Sequence, residues 1–242
     1  LDGGTTWKEV TAGMNVFGPV NAVREDIKQK GLLFAGTERE VYFSVDDGDH
    51  WNPLRLNMPA SSVRDIVVHH DDLVIGTHGR SIWILDNFSP LRELAAMNSG
   101  EPKLFTPALA TRVRYNMFLD TPLPPEEPTG QNPPEGGAID YYLPKAATDV
   151  KIEVLDGQGR TVRVFSSKDV LEVLDSAVIG HPTYWIRHNQ VVALTPGHHR
   201  INWDLRYPDP KGADRGFAIS AIYRNTPSGP QGPYVPPGLY VV

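Results

Sequence analysis

Residues 44–51 read Ser44-Val45-Asp46-Asp47-Gly48-Asp49-His50-Trp51 and fit the pattern S-x-D-x-G-x-x-W at every fixed position. The chain opens on Asp2-Gly3-Gly4-Thr5-Thr6-Trp7, which is the same pattern without its first two residues. Asp2 and Asp46 are separated by one interval of roughly 40–50 residues, the length of a four-stranded β-propeller blade. We therefore expect a propeller fold, and we expect the chain to begin inside a blade.

A second periodicity supports this interpretation. Leu33-Phe34-Ala35-Gly36-Thr37 aligns with Leu73-Val74-Ile75-Gly76-Thr77 at an offset of 40 residues, and the same offset pairs Val41 with Ser81. Short runs rich in β-branched and aromatic residues favour strands over helices. The pattern predicts strands near 20–26, 32–36, 40–45, 51–56, 63–69, 72–76 and 80–85. Phe88 replaces the motif glycine in the second copy, and Ser89-Pro90 predicts the N-cap of a short helix over 91–97.

The chemistry of the S-x-D-x-G-x-x-W turn is expected to be structural. The Asp46 carboxylate is expected to accept backbone N–H groups of its own turn, as in Asx-turns, so it is not expected to be catalytic. Gly48 supplies a positive φ, and Trp51 is expected to wedge between neighbouring sheets. The same structural role is expected of the remaining motif residues, Asp2, Gly4, Trp7 and Ser44.

The connections at the other end of the blades are better candidates for ligand binding. If turns between the third and fourth strands lie on one propeller face, turns between the second and third lie on the opposite face, together with loops 14–20 and 57–62. That face would display Glu38, Arg39, His78 and Arg80. Histidine can carry a proton and arginine can bind an anion in a fork, although hydrogen bonds between blades are the stronger explanation of both residues.

The rest of the chain predicts a second β domain. Residues 98–137 are expected to be an extended connection, because they contain Pro122, Pro124, Pro125, Pro128, Pro133 and Pro134. Residues 138–242 alternate apolar and polar side chains on either side of a hairpin turn at Asp156-Gly157-Gln158-Gly159, which fits an immunoglobulin-like sandwich that ends within its last strand. With residues 1–97 as the propeller part, the fold class is all-β: about two blades of a partial propeller plus this sandwich.

Composition excludes several kinds of function. The net charge of −6 argues against nucleic acid as a partner, and no apolar run approaches the ~18 residues that span a bilayer. There are no cysteines, so thiolate metal sites and cysteine nucleophiles are excluded. We expect no cofactor and no metal site. His69-His70 before Asp71-Asp72 reads as a solvated turn, and alternation should send His198 and His199 to opposite faces of a strand.

The propeller part resembles the Asp-box (BNR) repeat superfamily, which includes sialidases and sortilin-type propellers. Gly31 to Trp51 and Asp72 to Asp86 look closest to large exported bacterial propellers labelled glycosyl hydrolase or sortilin-like. Tyr142-Leu143-Pro144, Val154 to Arg163, Gly197 to Asp204 and Pro237 to Tyr240 look like the FlgD-type immunoglobulin-like module that follows such propellers, with an insertion at about 166–194. The resemblance implies an extracytoplasmic protein, periplasmic or secreted.

Three functions remain open at this stage. The first is a fragment with a binding or architectural role, no complete active site, and the rest of the parent propeller as its partner. The second is part of a sialidase-like glycoside hydrolase whose catalytic residues lie largely in other blades, since no catalytic residue can be assigned here. The third is a sortilin-like propeller that binds a peptide or protein. A carbohydrate or a peptide would be the ligand.

Overall fold

The computed structural model describes residues 2–15, 18–113, 126, 130, 133–179, 182–212, 216–217 and 228–242. It divides into two compact units, Leu1–Asn98 and Ser99–Val242. Strands dominate both units and pair in several antiparallel sheets, so the chain is all-β, as the sequence predicts. In the part of the chain that the structure describes, no helix is long and apolar enough to cross a membrane.

The first unit contains two antiparallel meanders whose strands follow one another in chain order. The predicted strands are confirmed, with boundaries that differ by a few residues. The first sheet is β1 (Val20–Glu25), β2 (Leu33–Thr37), β3 (Val41–Ser44) and β4 (Asn52–Pro53), and the second is β5 (Ser62–His69), β6 (Asp72–His78) and β7 (Ile82–Leu85).

The two meanders differ by one residue in the connection between their second and third strands. Gly36 pairs with Val41, whereas Gly76 pairs with Ile82, so the predicted alignment of Val41 with Ser81 is wrong by one position. Ser81 is the extra residue and adopts a left-handed φ of 63°. The turn keeps its closing bond despite the insertion, because the Thr37 hydroxyl donates to the carbonyl of Glu40 and the Thr77 hydroxyl donates to that of Ser81.

An apolar core joins the two sheets of this unit. One face of the first sheet contributes Phe34 and Val41, and the facing side of the second contributes Val63, Ile66 and Leu73, all fully buried. Gly36 allows the sheets to approach closely, since a Cβ there would lie 2.4 Å from the Cγ1 of Val63.

A 3-10 helix, Ser89–Ala96, follows the second sheet. The predicted helix is therefore present, but Ser89 is not its N-cap: the cap position is Phe88, and no side chain caps the helix. The reason is packing. Phe88 is buried with its ring edge against Phe34, 5.0 Å between centroids, which fixes where the helix starts.

The helix places Arg92 in a buried ion-pair network. Its Nε and Nη2 donate to the two carboxylate oxygens of Asp26 at 2.7 and 3.0 Å, and the Asp26 side chain is completely buried. Arg92 also pairs with Asp71 and donates to the carbonyl of His70. Lys28 completes the network with a bond of 2.7 Å to Asp71. The end of β1, the β5–β6 turn and the helix are thus held by one guanidinium.

The elements of the second unit are β8 (Lys103–Leu104), β9 (Gly137–Leu143), β10 (Lys151–Leu155), β11 (Thr161–Ser166), α1 (Ser176–Ile179), a 3-10 helix (Thr183–Trp185), β12 (Gly197–Trp203), β13 (Gly216–Phe217) and β14 (Ser228–Gly229).

A three-stranded sheet in the order β12-β9-β8 and a hairpin of β10 and β11 share one apolar core in this unit. Tyr141, Ile201 and Trp203 contribute from the sheet, and Ile152 and Val154 from the hairpin.

The predicted hairpin turn is confirmed, because Asp156 accepts the N–H groups of Gln158 and Arg160 between β10 and β11. The expected final strand is reduced to one bridge between Leu155 and Val241. Part of the predicted 98–137 connection is an edge strand, β8, followed by the buried Phe105. The prolines from Pro122 to Pro128 lie outside the described residues.

We expect the Arg92 network to dominate the stability of the first unit. Arg92→Met leaves the buried Asp26 carboxylate without its cation and should cost about 3–5 kcal/mol. The matched variant Arg24→Met removes an exposed pair with Asp65 (2.6 Å) and should cost about 0–1 kcal/mol. Urea unfolding followed by tryptophan fluorescence measures both losses, and equal losses would contradict this account.

Candidate functional site

Residues 44–51, which we call the Asp-box turn, join β3 to β4. The turn is held together by its own side chains. The Ser44 hydroxyl donates to Asp46 Oδ1 at 2.7 Å and accepts the N–H of Gly48 at 3.0 Å. Asp46 also accepts the backbone N–H of His50 at 2.8 Å, and its other oxygen lies 2.7 Å from the His50 ring. These bonds, the His50 N–H first, lower the pKa of Asp46 to about 2. The carboxylate is therefore a fixed structural anion.

The glycine and tryptophan of the motif complete the turn. Gly48 has a φ of 90°, which a residue with a Cβ resists. Trp51 is buried against Ala35 and Tyr42 of its own sheet. Its indole N–H donates to the carbonyl of Val10 and its backbone N–H to that of Ala12, each at 2.8 Å. Trp51 thus lies between the first sheet and the segment that precedes it.

The first copy of the motif forms the same kind of turn. Asp2 accepts the N–H groups of Gly4 and Thr5 and, at 2.7 Å, the hydroxyl of Thr6, whose bond contributes most to the lowered pKa of Asp2. Trp7 differs from Trp51, since it is 91% exposed. A motif tryptophan is therefore buried only where another segment covers it.

The opposite end of the first unit brings together two of the four residues selected from the sequence. Glu38 accepts a hydrogen bond from Asn21 at 3.0 Å and pairs with Arg64 at 3.1 Å. The Asn21 bond is the main cause of the lowered pKa of Glu38, with further contributions from the nearby charges of Arg64 and His78. Glu38, Arg64 and His78 thus form a half-exposed polar cluster, which we call the Glu38 cluster.

Arg39 and Arg80 contribute backbone carbonyl groups to the hydrogen bonds at this end of the sheets. The carbonyl of Arg39 accepts the N–H of Ser61 at 2.9 Å, and the carbonyl of Arg80 accepts the indole N–H of Trp83 at 2.9 Å. Sequence reasoning selected neither Arg64 nor Asn21 for the site. Both lie near the start of the first strand of their sheet, Asn21 on β1 and Arg64 on β5.

The chemistry available to this cluster is binding rather than acid catalysis. A carboxyl whose pKa is lowered stays ionised near neutral pH and has no proton to give to a leaving group. Glu40, an acidic residue of the same connection, accepts a hydrogen bond of 2.5 Å from the Tyr42 hydroxyl. An ionised carboxylate beside an arginine can instead pair with a ligand that carries complementary charges.

The histidine pairs considered in the sequence as possible metal sites have structural partners instead. The Asp71 carboxylate pairs with Arg92 and Lys28. The rings of His69 and His70 contact each other edge-on, with 4.5 Å between their centroids. Among the described residues, no group of three or more His, Asp or Glu could hold a metal ion. His198 and His199 do face opposite ways: His198 Nε2 lies 2.8 Å from Asp140, and the His199 ring packs on Tyr141.

Sequence reasoning missed a polar cleft of about 710 Å³ in the second unit. It is lined by residues from distant parts of the chain, among them Arg163, Gln190, Asp204, Arg206 and Tyr207. Burial is the main cause of the raised pKa of Asp204. No short motif announces this cleft, because its walls come together only in the folded unit.

We expect Asp46 and its neighbour Asp47 to respond differently to the loss of charge. Asp46→Asn removes the charge and one of the two acceptor oxygens and should lower the melting temperature at pH 7 by about 2–4 °C, the shift that ~1 kcal/mol produces in a chain of this size. Asp47→Asn should change little, since asparagine tolerates the left-handed φ of 59° found there.

The difference should also depend on pH. A folded-state pKa of about 2 lies below the ordinary value of 3.8, so the stabilisation is present above pH 3.8 and is lost as the pH falls towards 2. Melting curves of the wild type and Asp46→Asn should therefore converge in acid. A gap that is constant from pH 7 to pH 2 would show that Asp46 does not stabilise the turn as an anion.

Comparison with protein-family models, with curated proteins and with solved structures gave no match.

Proposed function

We propose that the first unit forms two blades of an Asp-box β-propeller and that these blades serve binding and architecture rather than hydrolysis. The observation that carries the proposal is an exposed apolar face on the second sheet. By repeat position, it is the same face that the first sheet uses to pack on the second. A repeated packing surface that is left uncovered fits a stack that continues with another sheet of the same kind.

The equivalence rests on strand pairing. In the first sheet, Phe34 pairs with Phe43, and this face is buried against the second sheet. In the second sheet, Val74 occupies the position of Phe34 and pairs with Ile84. Val67 extends the row on β5, because it is the other partner of Val74. Yet Ile84 is 57% exposed, Val67 is 49% exposed, and Phe34 is fully buried.

The two repeat glycines support the same conclusion. A Cβ on Gly36 would meet Val63 of the neighbouring sheet at 2.4 Å. A Cβ on Gly76 would meet nothing closer than Asp65 of its own sheet, at 3.8 Å. Gly76, like Gly36, has no side chain that would keep another sheet at a distance. Among the described residues, however, no neighbouring sheet packs against Gly76. A row of exposed apolar side chains around such a glycine is typical of a protein contact surface.

The binding role is assigned to the Glu38 cluster. It combines an ionised carboxylate, a half-exposed arginine and a histidine at the end of the sheets opposite the Asp-box. Glycoside hydrolysis by the usual route needs two carboxyl groups, one of which stays protonated near neutral pH. The Glu38 cluster contains one carboxyl, which could serve only as the ionised member of such a pair, so the cluster by itself favours recognition of a carbohydrate or peptide with paired charges over its cleavage.

The remaining parts of the proposal follow the family resemblance. The second unit, with its two sheets around one core, is compatible with the immunoglobulin-like module, and an extracytoplasmic location is part of the same proposal. A sialidase-like hydrolase would require catalytic residues from blades other than these two. A sortilin-like receptor would use the Glu38 cluster as part of a larger peptide site.

The stacking proposal predicts that Ile84→Asp is tolerated in residues 1–242 and harmful in the full-length product of the gene. In the 242-residue chain Ile84 is mostly solvated, so the change should stay within about 0.5 kcal/mol. Where another sheet covers the face, a buried unpaired carboxylate should lower the melting temperature by several degrees. Ile27→Asp, at an exposed residue outside this face, is the control. Equal effects of Ile84→Asp in both proteins would refute the proposal.

The binding assignment predicts that purified residues 1–242 do not hydrolyse aryl glycosides. In the full-length protein, Glu38→Gln should weaken binding of the carbohydrate or peptide ligand. It should not abolish any glycoside hydrolysis that the full-length protein performs. Release of a chromogenic aglycone measures hydrolysis directly. Turnover by residues 1–242, or loss of turnover in full-length Glu38→Gln, would instead favour the hydrolase alternative.

A further inference from the structure

The polar cleft of the second unit runs along the outer edge of β11. Five successive residues of this strand, Thr161 to Phe165, line it, while β10 occupies the other edge of β11. The opposite wall comes from residues 187–190 and 204–209. At about 710 Å³ the cleft lies in the ~300–1,000 Å³ range of small-ligand sites.

The side chain of Gln190 fixes one wall of the cleft, because it bonds to the edge of β12 as the backbone of a neighbouring strand would. The amide of Gln190 donates to the carbonyl of Asn202 at 2.7 Å, and its oxygen accepts the N–H of Asn202 at 2.8 Å. This two-point bond fixes the segment around Gln190 against the edge of β12. A ligand that entered the cleft would therefore meet groups already in place, which reduces the entropic cost of binding.

Asp204 supplies the acceptor at the centre of this arrangement. It follows β12 directly, and its Oδ1 accepts the backbone N–H of Arg206 at 3.2 Å. Burial raises the pKa of the carboxyl, and the charges of Arg163 and Arg206 partly oppose that effect. A carboxylate can accept several hydrogen bonds, and one backbone N–H uses only part of that capacity.

Two guanidinium groups share the lining of the cleft with this carboxylate and are themselves fixed. Arg163 donates to the carbonyl of Tyr207 at 3.3 Å, and its Cζ lies 5.5 Å from the ring centre of Phe165. Arg206 donates to the carbonyl of Gly232 at 2.9 Å and stacks on Tyr234 at 3.5 Å. A guanidinium has five N–H donors, so the bonds described here leave donors that can serve a ligand.

The charge of the lining selects the kind of ligand. Acidic and basic groups are nearly balanced, which disfavours a strongly charged ligand; the acids are Glu135, Asp169, Asp204 and Asp209, and the arginines are Arg163, Arg187 and Arg206. Paired acceptors and donors with little net charge suit hydroxyl groups, each of which donates one hydrogen bond and accepts others. We propose that this cleft binds a neutral oligosaccharide, whose hydroxyls donate to Asp204 and accept from Arg163.

This site is independent of the proposed propeller function, because every residue that forms it belongs to the second unit. The test uses the whole 242-residue chain and three neutral probes: cellotriose, maltotriose and triacetylchitotriose. Trigalacturonate and trilysine serve as anionic and cationic comparisons. Binding is measured by isothermal titration, and its place by chemical-shift changes of the backbone amides along β11.

We expect at least one neutral trisaccharide to bind saturably and to shift the amides of Thr161 to Phe165. Asp204→Asn should weaken that binding about tenfold or more, since a hydrogen bond to a charged group is lost. Glu153→Gln removes a charge from the neighbouring strand β10 outside the cleft and should leave binding unchanged.

The variant is suited to this test because it should fold. A raised folded-state pKa means that the stability associated with the protonated form is lost as the pH rises through that value. Asparagine is neutral at every pH, so Asp204→Asn should be at least as stable as the wild type at pH 7, as melting curves can check. Absence of binding by all three neutral probes, tighter binding of a charged probe, or equal affinity in Asp204→Asn would overturn the proposal.

Discussion

The ion-pair network of Arg92 is the constraint on which the first unit depends. The Asp26 carboxylate is completely buried, and a buried charge is tolerated only when cations and hydrogen bonds replace its water. Arg92 is its cation and comes from a helix that starts where Phe88 enters the core. Burial of Asp26, docking of the helix and packing of the core between the two sheets therefore depend on one another.

The two ends of these sheets have different tasks. At one end, the polar side chains of the Asp-box turn form hydrogen bonds within the turn itself. The carboxylate of Asp46 and the hydroxyl of Ser44 are both bonded in this way. At the other end, the Glu38 cluster keeps an ionised carboxylate and an arginine half-exposed. The motif that is easiest to recognise is thus the part of the molecule with the least chemistry to offer a ligand.

Repeats and local patterns predicted the strands of the first unit, the hairpin at Asp156 and the opposite directions of His198 and His199, because these depend on neighbours in sequence. The Arg92–Asp26 pair joins residues 66 positions apart, and nothing near either residue signals it. The same holds for the cleft of the second unit, where Arg163, Gln190 and Asp204 meet only after the sheets have packed. The insertion of Ser81 was missed because sequence alignment favours a constant offset, while strand pairing does not require one.

That inserted residue also shows where this architecture can vary. The second connection absorbs an extra residue at Ser81 by a left-handed turn and still closes with the hydroxyl of Thr77, and the apolar partners on either side keep their pairing. Loop length at this end is therefore decoupled from the register of the core. Insertions or deletions here can change the surface of this end without shifting the strands, whereas the same change between Ser44 and His50 would break the bonds that hold that turn together.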